Sequence, residues 1–246
     1  MIPYVNFNTQ EQENEVLEVI RKHLSNDGAG SCIVKNRAVQ AESFMLFLHL
    51  KLAQSFTFSR VGTEKVPFDL VSDRGADDHG TKGTIISATN QAFPLHTDCS
   101  YLDKPAEVVS LYCLENSCSG GESLLLNIND LIPTLNNDYL GFLKSQKFRV
   151  HSKEFPILEE TDNHFSIRFS EHEIMESYKE DDYELVKREL EQFLRLLSSS
   201  PLVQKVKLEK NDCLLVNNRT CLHGRNAFEA NSDRIFLRSR QYWRKS

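Results

Sequence analysis

The stretch Leu95 to Tyr101 reads LHTDCSY, and within it His96 and Asp98 stand two apart on a segment of strand-like composition. Residues i and i+2 of a strand share a face, so the spacing predicts an imidazole and a carboxylate aimed at one place. Alone, that pair fits a surface contact, a salt bridge or two legs of a metal site. A second histidine, His223, follows an apolar run in LLVNNRTCLHGR and stands beside Gly224. Two histidines with one carboxylate form a facial set that leaves coordination positions open, the arrangement non-haem iron uses for chemistry with O2.

The segment RIFLRSRQYW adds a second kind of chemistry. As a strand, it puts Arg234, Phe236, Arg238, Arg240 and Tyr242 on one face and Ile235, Leu237 and Trp243 on the other. The apolar face is expected to pack outward against helices. The other carries guanidinium groups separated by aromatics. Arginine keeps its charge and is not buried cheaply without an anion. If that face lines the interior, it requires a carboxylate-bearing ligand; if the strand is an edge, its arginines are simply solvated.

These residues need a scaffold. Val16, Val19, Ile20 and Leu24 fall at helical spacing, with Gly28 to close the helix. Phe44, Met45, Leu48 and Leu52 mark a second helix over 41–54, and Val186, Leu190, Phe193 and Leu197 a third over 181–198. Most of the remainder reads as short strands: SCIVKN (31–36), EVVSLYCLE (107–115), ESLLLNI, KFRVHS, HFSIRFS, VQKVKLEK, CLLVNN and the arginine segment. Gly120-Gly121 marks a turn. Many strands without alternating helices predict a mainly β chain with flanking helices, closed as a barrel or sandwich. Between them GTEKVPFDLVSDRGADDHGTKG (62–83) is long, polar and rich in Asp and Gly, and a lid is expected there.

A chain of 246 residues suits one domain, taken as 1–246. With 40% hydrophobic and 26% charged residues it has the composition of a soluble globule, and a net charge of -6 argues against nucleic acid as a partner. No apolar run approaches a membrane span. The N-terminal MIPYVNFNTQEQENEV has no signal pattern and the six cysteines form no Cys-x-x-Cys pair, so reduced thiols in the cytoplasm are expected, without a structural zinc site. Cys99 would point away from the face of Asp98 and pack. Cys221, two before His223, would face the site, which keeps a Cys/His zinc hydrolase as a formal rival.

The segment HTDCSYLDKPAEVVSLYCLENSCSGGESLLLNINDLI resembles the proximal motif of the taurine dioxygenase (TauD/TfdA-like) family of Fe(II)/2-oxoglutarate-dependent oxygenases. NNRTCLHGRNAFEANSDRIFLRSRQYW resembles its distal motif. The resemblance implies a double-stranded β-helix, a cupin-like jelly-roll barrel with the metal at one mouth. It implies His96, Asp98 and His223 as iron ligands and Arg234 as the bidentate partner of the distal carboxylate of 2-oxoglutarate. Ser123, in GGES, would hydrogen-bond the same carboxylate, where the family more often has Thr. The implied enzyme is a dioxygenase that uses Fe(II), 2-oxoglutarate and O2 to hydroxylate an unactivated C–H bond, releasing succinate and CO2. Related halogenases lack the carboxylate ligand, so Asp98 argues against halogenation.

The expected substrate is a small molecule with both a carboxylate and an amine. Arg238 lies at the offset that grips the substrate's anionic group in taurine-oxidising members. Asp69, Asp73, Asp77 and Asp78 place acid in the lid segment, suited to a cationic end, although aspartates also serve as turn formers in solvated loops. Arg238, Asp73, Asp77 and Tyr101 are therefore the candidate substrate contacts. Two other readings stay open: the same chemistry on a carrier-bound or peptide substrate, and a non-catalytic jelly-roll protein that binds a metal or a carboxylate.

Overall fold

A strand buried on both sides shows apolar residues at successive positions, and the middle strands of this chain do so because each lies between a helical layer and a second sheet. The computed structural model describes residues 1–57, 59–61, 64–73, 86–161 and 164–243. Its larger sheet runs β1 (Tyr4–Phe7), β2 (Ser31–Asn36), β15 (Asp212–Asn217), β8 (Val108–Glu115), β17 (Ile235–Trp243) and β3 (Ala53–Thr57), with β6 (Asp69–Ser72) also paired to β17. The β1–β2 pair is parallel and the rest of this sheet antiparallel. The smaller sheet is β14 (Gln204–Val206), β9 (Ser123–Asn127), β16 (Cys221–Arg225) and β7 (Phe93–His96). Among the described residues, three two-stranded pieces flank them: β4 (Ser59–Val61) with β5 (Glu64–Val66), β10 (Lys147–Val150) with β11 (Lys153–Pro156), and β12 (Leu158–Thr161) with β13 (His164–Ile167).

Among the described residues, three apolar clusters hold the layers together. The helices α1 (Glu13–Leu24) and α2 (Ala41–Leu52) cover the outer face of the larger sheet through Leu17, Ile20, Phe44 and Leu48, against Cys213, Leu215 and Leu237. Between the sheets lie Ile33, Cys113, Leu125, Leu214, Val216 and Phe236. Beyond the smaller sheet, Leu126 and Leu222 meet α3 (Ile128–Leu131), α4 (Asn137–Ser145) and α6 (Glu180–Ser199), the last through Leu190 and Phe193; the short α5 (Glu171–Met175) contributes Ile174. The pleat sorts each strand: on β15 Cys213 and Leu215 face the helices while Leu214 and Val216 face inward, and on β17 Leu237 and Phe236 divide the same way. This is a double-stranded β-helix with flanking helices, as expected.

Two local expectations change. The strand β7 ends at His96, and Asp98 and Cys99 lie in a turn where Cys99 has a positive φ of 60°. Strand alternation therefore does not bring His96 and Asp98 together; the turn does. Part of the lid segment is strand: Glu64–Val66 pairs with β4 and Asp69–Ser72 joins the larger sheet. Residues 62–63 and 74–83 of the segment, Asp77 and Asp78 among them, lie outside the described residues. Among the described residues, no helix is long and apolar enough to cross a membrane.

Candidate functional site

Cross-strand register assembles the site. His223 on β16 lies directly opposite His96 on β7. Their backbones approach closely because Gly224 has no side chain: a Cβ there would lie 2.7 Å from the carbonyl oxygen of Phe93. The two imidazole rings stand 4.5 Å apart. The Asp98 Oδ1 sits 3.2 Å from Nε2 of His96 and 3.5 Å from Nε2 of His223. One donor atom from each of the three residues falls within 4.8 Å of the others, and the residues are buried or nearly so.

The surroundings fix these groups. His96 Nδ1 donates to the Pro94 carbonyl at 2.8 Å, which leaves Nε2 as the lone-pair nitrogen. Its ring stacks on Phe93 at 3.8 Å. The backbone N–H of Asp98 donates to the Asn218 side chain at 2.8 Å, and Asn218 returns a bond to the Asp98 carbonyl at 2.9 Å. The second carboxylate oxygen, Oδ2, accepts from Arg240 Nε at 2.6 Å. Burial alone would raise the Asp98 carboxyl, but Arg240 and the hydrogen bonds with His223 and His96 outweigh it and hold the group well below the usual carboxylate range. Burial first, then the neighbouring His96, pulls His223 below its ordinary value against the attraction of Asp98. An ionised carboxylate and a neutral imidazole are the states a metal site needs. In this His96 tautomer, lone pairs converge on a small volume, and a divalent cation fits there.

Arg234 faces the same cavity from the residue before β17. It is 2% exposed, yet among the described residues its guanidinium has neither a hydrogen bond nor a carboxylate partner, and Nε is buried without one. It lies over the rings of Phe236 and Phe228, 4.1 and 5.0 Å from their centroids. Gly121, at a positive φ of 73°, makes room: a Cβ there would stand 3.2 Å from Arg234 Nε. Burial first, then Arg225, pulls the Arg234 guanidinium down to about 10. Ser123, opposite Arg225 in the β9–β16 register, lines the cavity with Arg234, His96, Asp98, His223 and Arg238. Its empty space is about 600 Å³, open mouth included.

The predicted substrate contacts separate. Arg238 lines the cavity but is already paired with Asp69, directly opposite on β6, at 2.8 Å. Asp73 lies outside the cavity lining and accepts from the Asn231 backbone. Tyr101 is 42% exposed, with its ring against His151 rather than in the cavity. Asp77 lies outside the described residues. Cys221 shares the inner face with His223 but is buried among apolar residues between the sheets, where burial pushes its thiol up to about 12. It is no ligand, and the zinc-hydrolase rival loses its cysteine. Asn218 and the Asp98 contact of Arg240 were not anticipated. The adjacent asparagines at the end of the apolar LLV run were the one available signal, since an amide buried there needs partners.

The sequence matches the family described as taurine catabolism dioxygenase TauD, TfdA family over residues 4–158 and 142–240. No curated protein sequence matches the chain. Among solved structures, an asparagine oxygenase is similar with a TM-score of 0.71 at 14% identity, covering 95% of this chain and 78% of the other. The same enzyme has been solved with Fe(II), 3-hydroxyasparagine and succinate. The non-heme iron oxygenase OrfP, in complex with Fe and alpha-ketoglutaric acid, is similar at 0.70 and 14% identity, covering 92% and 79%. It has also been solved with Fe, succinate and (3S)-hydroxy-L-Arg. PvcB, an Fe, alpha-ketoglutarate dependent oxygenase, scores 0.61 at 18% identity, covering 93% and 79%.

Proposed function

Because the chain belongs to the taurine catabolism dioxygenase TauD, TfdA family, we propose that His96, Asp98 and His223 hold Fe(II) and that Arg234 and Ser123 hold 2-oxoglutarate beside it. The enzyme is a dioxygenase, and the reading is a hydroxylase of a small, amino-acid-like substrate, with 1–246 as one catalytic domain. The observation that carries it is the buried guanidinium of Arg234, without an anion among the described residues, in the same cavity as three converging metal donors. A buried cation without a counter-ion is strongly unfavourable. A dicarboxylate that reaches from the metal donors to Arg234 resolves it.

When bound, iron supplies activation of O2 coupled to oxidative decarboxylation of 2-oxoglutarate to succinate and CO2. The protein's own residues do the rest. Arg234 neutralises one carboxylate and orients the co-substrate by its fork, and Ser123 adds a donor to the same oxygens. Apolar Val109, Leu111, Leu214 and Val216 line the cavity. Arg238 lines the same cavity and presents a cation to the carboxylate of a small substrate. The hydroxyasparagine and hydroxyarginine seen in structural neighbours support the amino-acid-like class.

The test is succinate formation under air with Fe(II) and 2-oxoglutarate across free amino acids, sulfonates, aryloxy acids and betaines. Stimulation by amino acids is expected. Stimulation only by anions without an amine rejects the amino-acid reading, and no turnover with any substrate, carrier-bound and peptide forms included, leaves a binding protein.

A further inference from the structure

Asp98 is held unlike the two histidines. His96 and His223 sit on paired strands, whose register fixes them. Asp98 lies in a turn beyond β7, so no pleat decides where its carboxylate points. Asn218 grips the turn's backbone on both sides of Asp98, which leaves the side-chain rotation to be set by something else. Arg240 is that contact. Its Nε takes Oδ2 at 2.6 Å, while Oδ1 is left facing both histidine Nε2 atoms. Arg240 is itself held from behind by Asp69, whose Oδ1 stands 3.7 Å from Nη1, while the same carboxylate's Oδ2 binds Arg238. Arg240 does not line the cavity that Arg234 and Arg238 share, so it is poorly placed to touch a co-substrate.

We infer that Arg240 is a positioning residue for the metal-binding carboxylate: it occupies Oδ2, presents Oδ1 alone between His96 and His223, and is braced by Asp69 on β6. With Oδ2 taken by Arg240, Asp98 would offer the metal Oδ1 alone. The ion-pair row Asp98–Arg240–Asp69–Arg238 then ties the metal donors to β6. The inference rests on the iron reading proposed above.

The experiment measures Fe(II) affinity under argon, by competition with a chromogenic ferrous chelator, for wild type, Arg240→Ala and Arg240→Lys. The 2-oxoglutarate half-saturation is measured separately at saturating Fe(II). Loss of such a contact behind a ligand weakens metal binding by about 10–100-fold, and that is expected for Arg240→Ala, with partial recovery in Arg240→Lys and little change in 2-oxoglutarate half-saturation. Should Arg240→Ala fail to fold by circular dichroism, Arg240→Gln takes its place with the same expected direction. Wild-type Fe(II) affinity in the folded Ala or Gln variant overturns the inference alone, as does a rise in 2-oxoglutarate half-saturation without loss of Fe(II) affinity. Absence of Fe(II) binding by the wild type overturns the iron reading and this inference with it.

Discussion

Arg234 holds its charge out of water between two aromatic rings, with no protein anion against it among the described residues. That makes two opposite predictions for Arg234→Ala. Without 2-oxoglutarate, removing an uncompensated buried cation should leave the fold no less stable than wild type. With it, loss of one partner of a buried charge pair costs about 2–5 kcal/mol, so the 2-oxoglutarate half-saturation should rise by at least about thirtyfold. Steady-state titration checks the second and thermal unfolding the first; equal half-saturation in both proteins would move the clamp elsewhere. The arginine pattern of RIFLRSRQYW was legible because a strand's two-residue period is local. The partners were not: Arg240 and Asp98 stand 142 positions apart, and no local pattern marks such a pair. The acidic segment predicted a cationic end for the substrate, whereas Asp69 is already engaged with Arg238.

Paired strands place the histidines, and their spacing depends on one glycine. A Cβ at Gly224 would meet the Phe93 carbonyl at 2.7 Å, a backbone atom that cannot swing aside. Gly224→Val should therefore push β16 from β7, cost about 1–3 kcal/mol by overpacking, and weaken Fe(II) binding by separating His223 from His96. Gly141 in α4 is the control: nothing lies within 4 Å of its Cβ position. Gly141→Ala should stabilise by roughly 0.5–1 kcal/mol and leave Fe(II) binding unchanged. Chemical unfolding with a parallel Fe(II) titration checks both, and wild-type values for Gly224→Val would refute the close-approach argument. At this scale α1, α2 and α6 were readable from their apolar stripes, and β2 from its β-branched run. The end of β7 was not, because the β-branched Thr97 after His96 continues a strand-like composition up to the turn that holds Asp98. The helix α4 was missed although Asn136 caps it through the Tyr139 N–H, a short-range signal present in the sequence.

For the whole molecule, two sheets closing on one cavity make ligand binding a stabilising term for the entire fold. A co-substrate bound to the native state at about a hundred times its Kd adds roughly 2.7 kcal/mol. In a protein of this size that should raise the Tm by roughly 5–10 °C. The part of the rise due to 2-oxoglutarate should require Fe(II) and fall to less than half in Arg234→Ala; an equal rise in that variant would separate stability from the clamp. The barrel class could be read from the many strands without alternating helices. The pairing order β1-β2-β15-β8-β17-β3 could not, because it joins strands from both ends of the chain and only the resemblance of the two motifs pointed to it. The central claim is that one cavity holds iron on His96, Asp98 and His223 with 2-oxoglutarate reaching to Arg234. Its most direct test is the anaerobic visible spectrum with Fe(II) and 2-oxoglutarate. The wild type should show the weak charge-transfer band of an iron-chelated keto acid, lost in His96→Ala and in His223→Ala; a band unchanged in both variants would contradict the account.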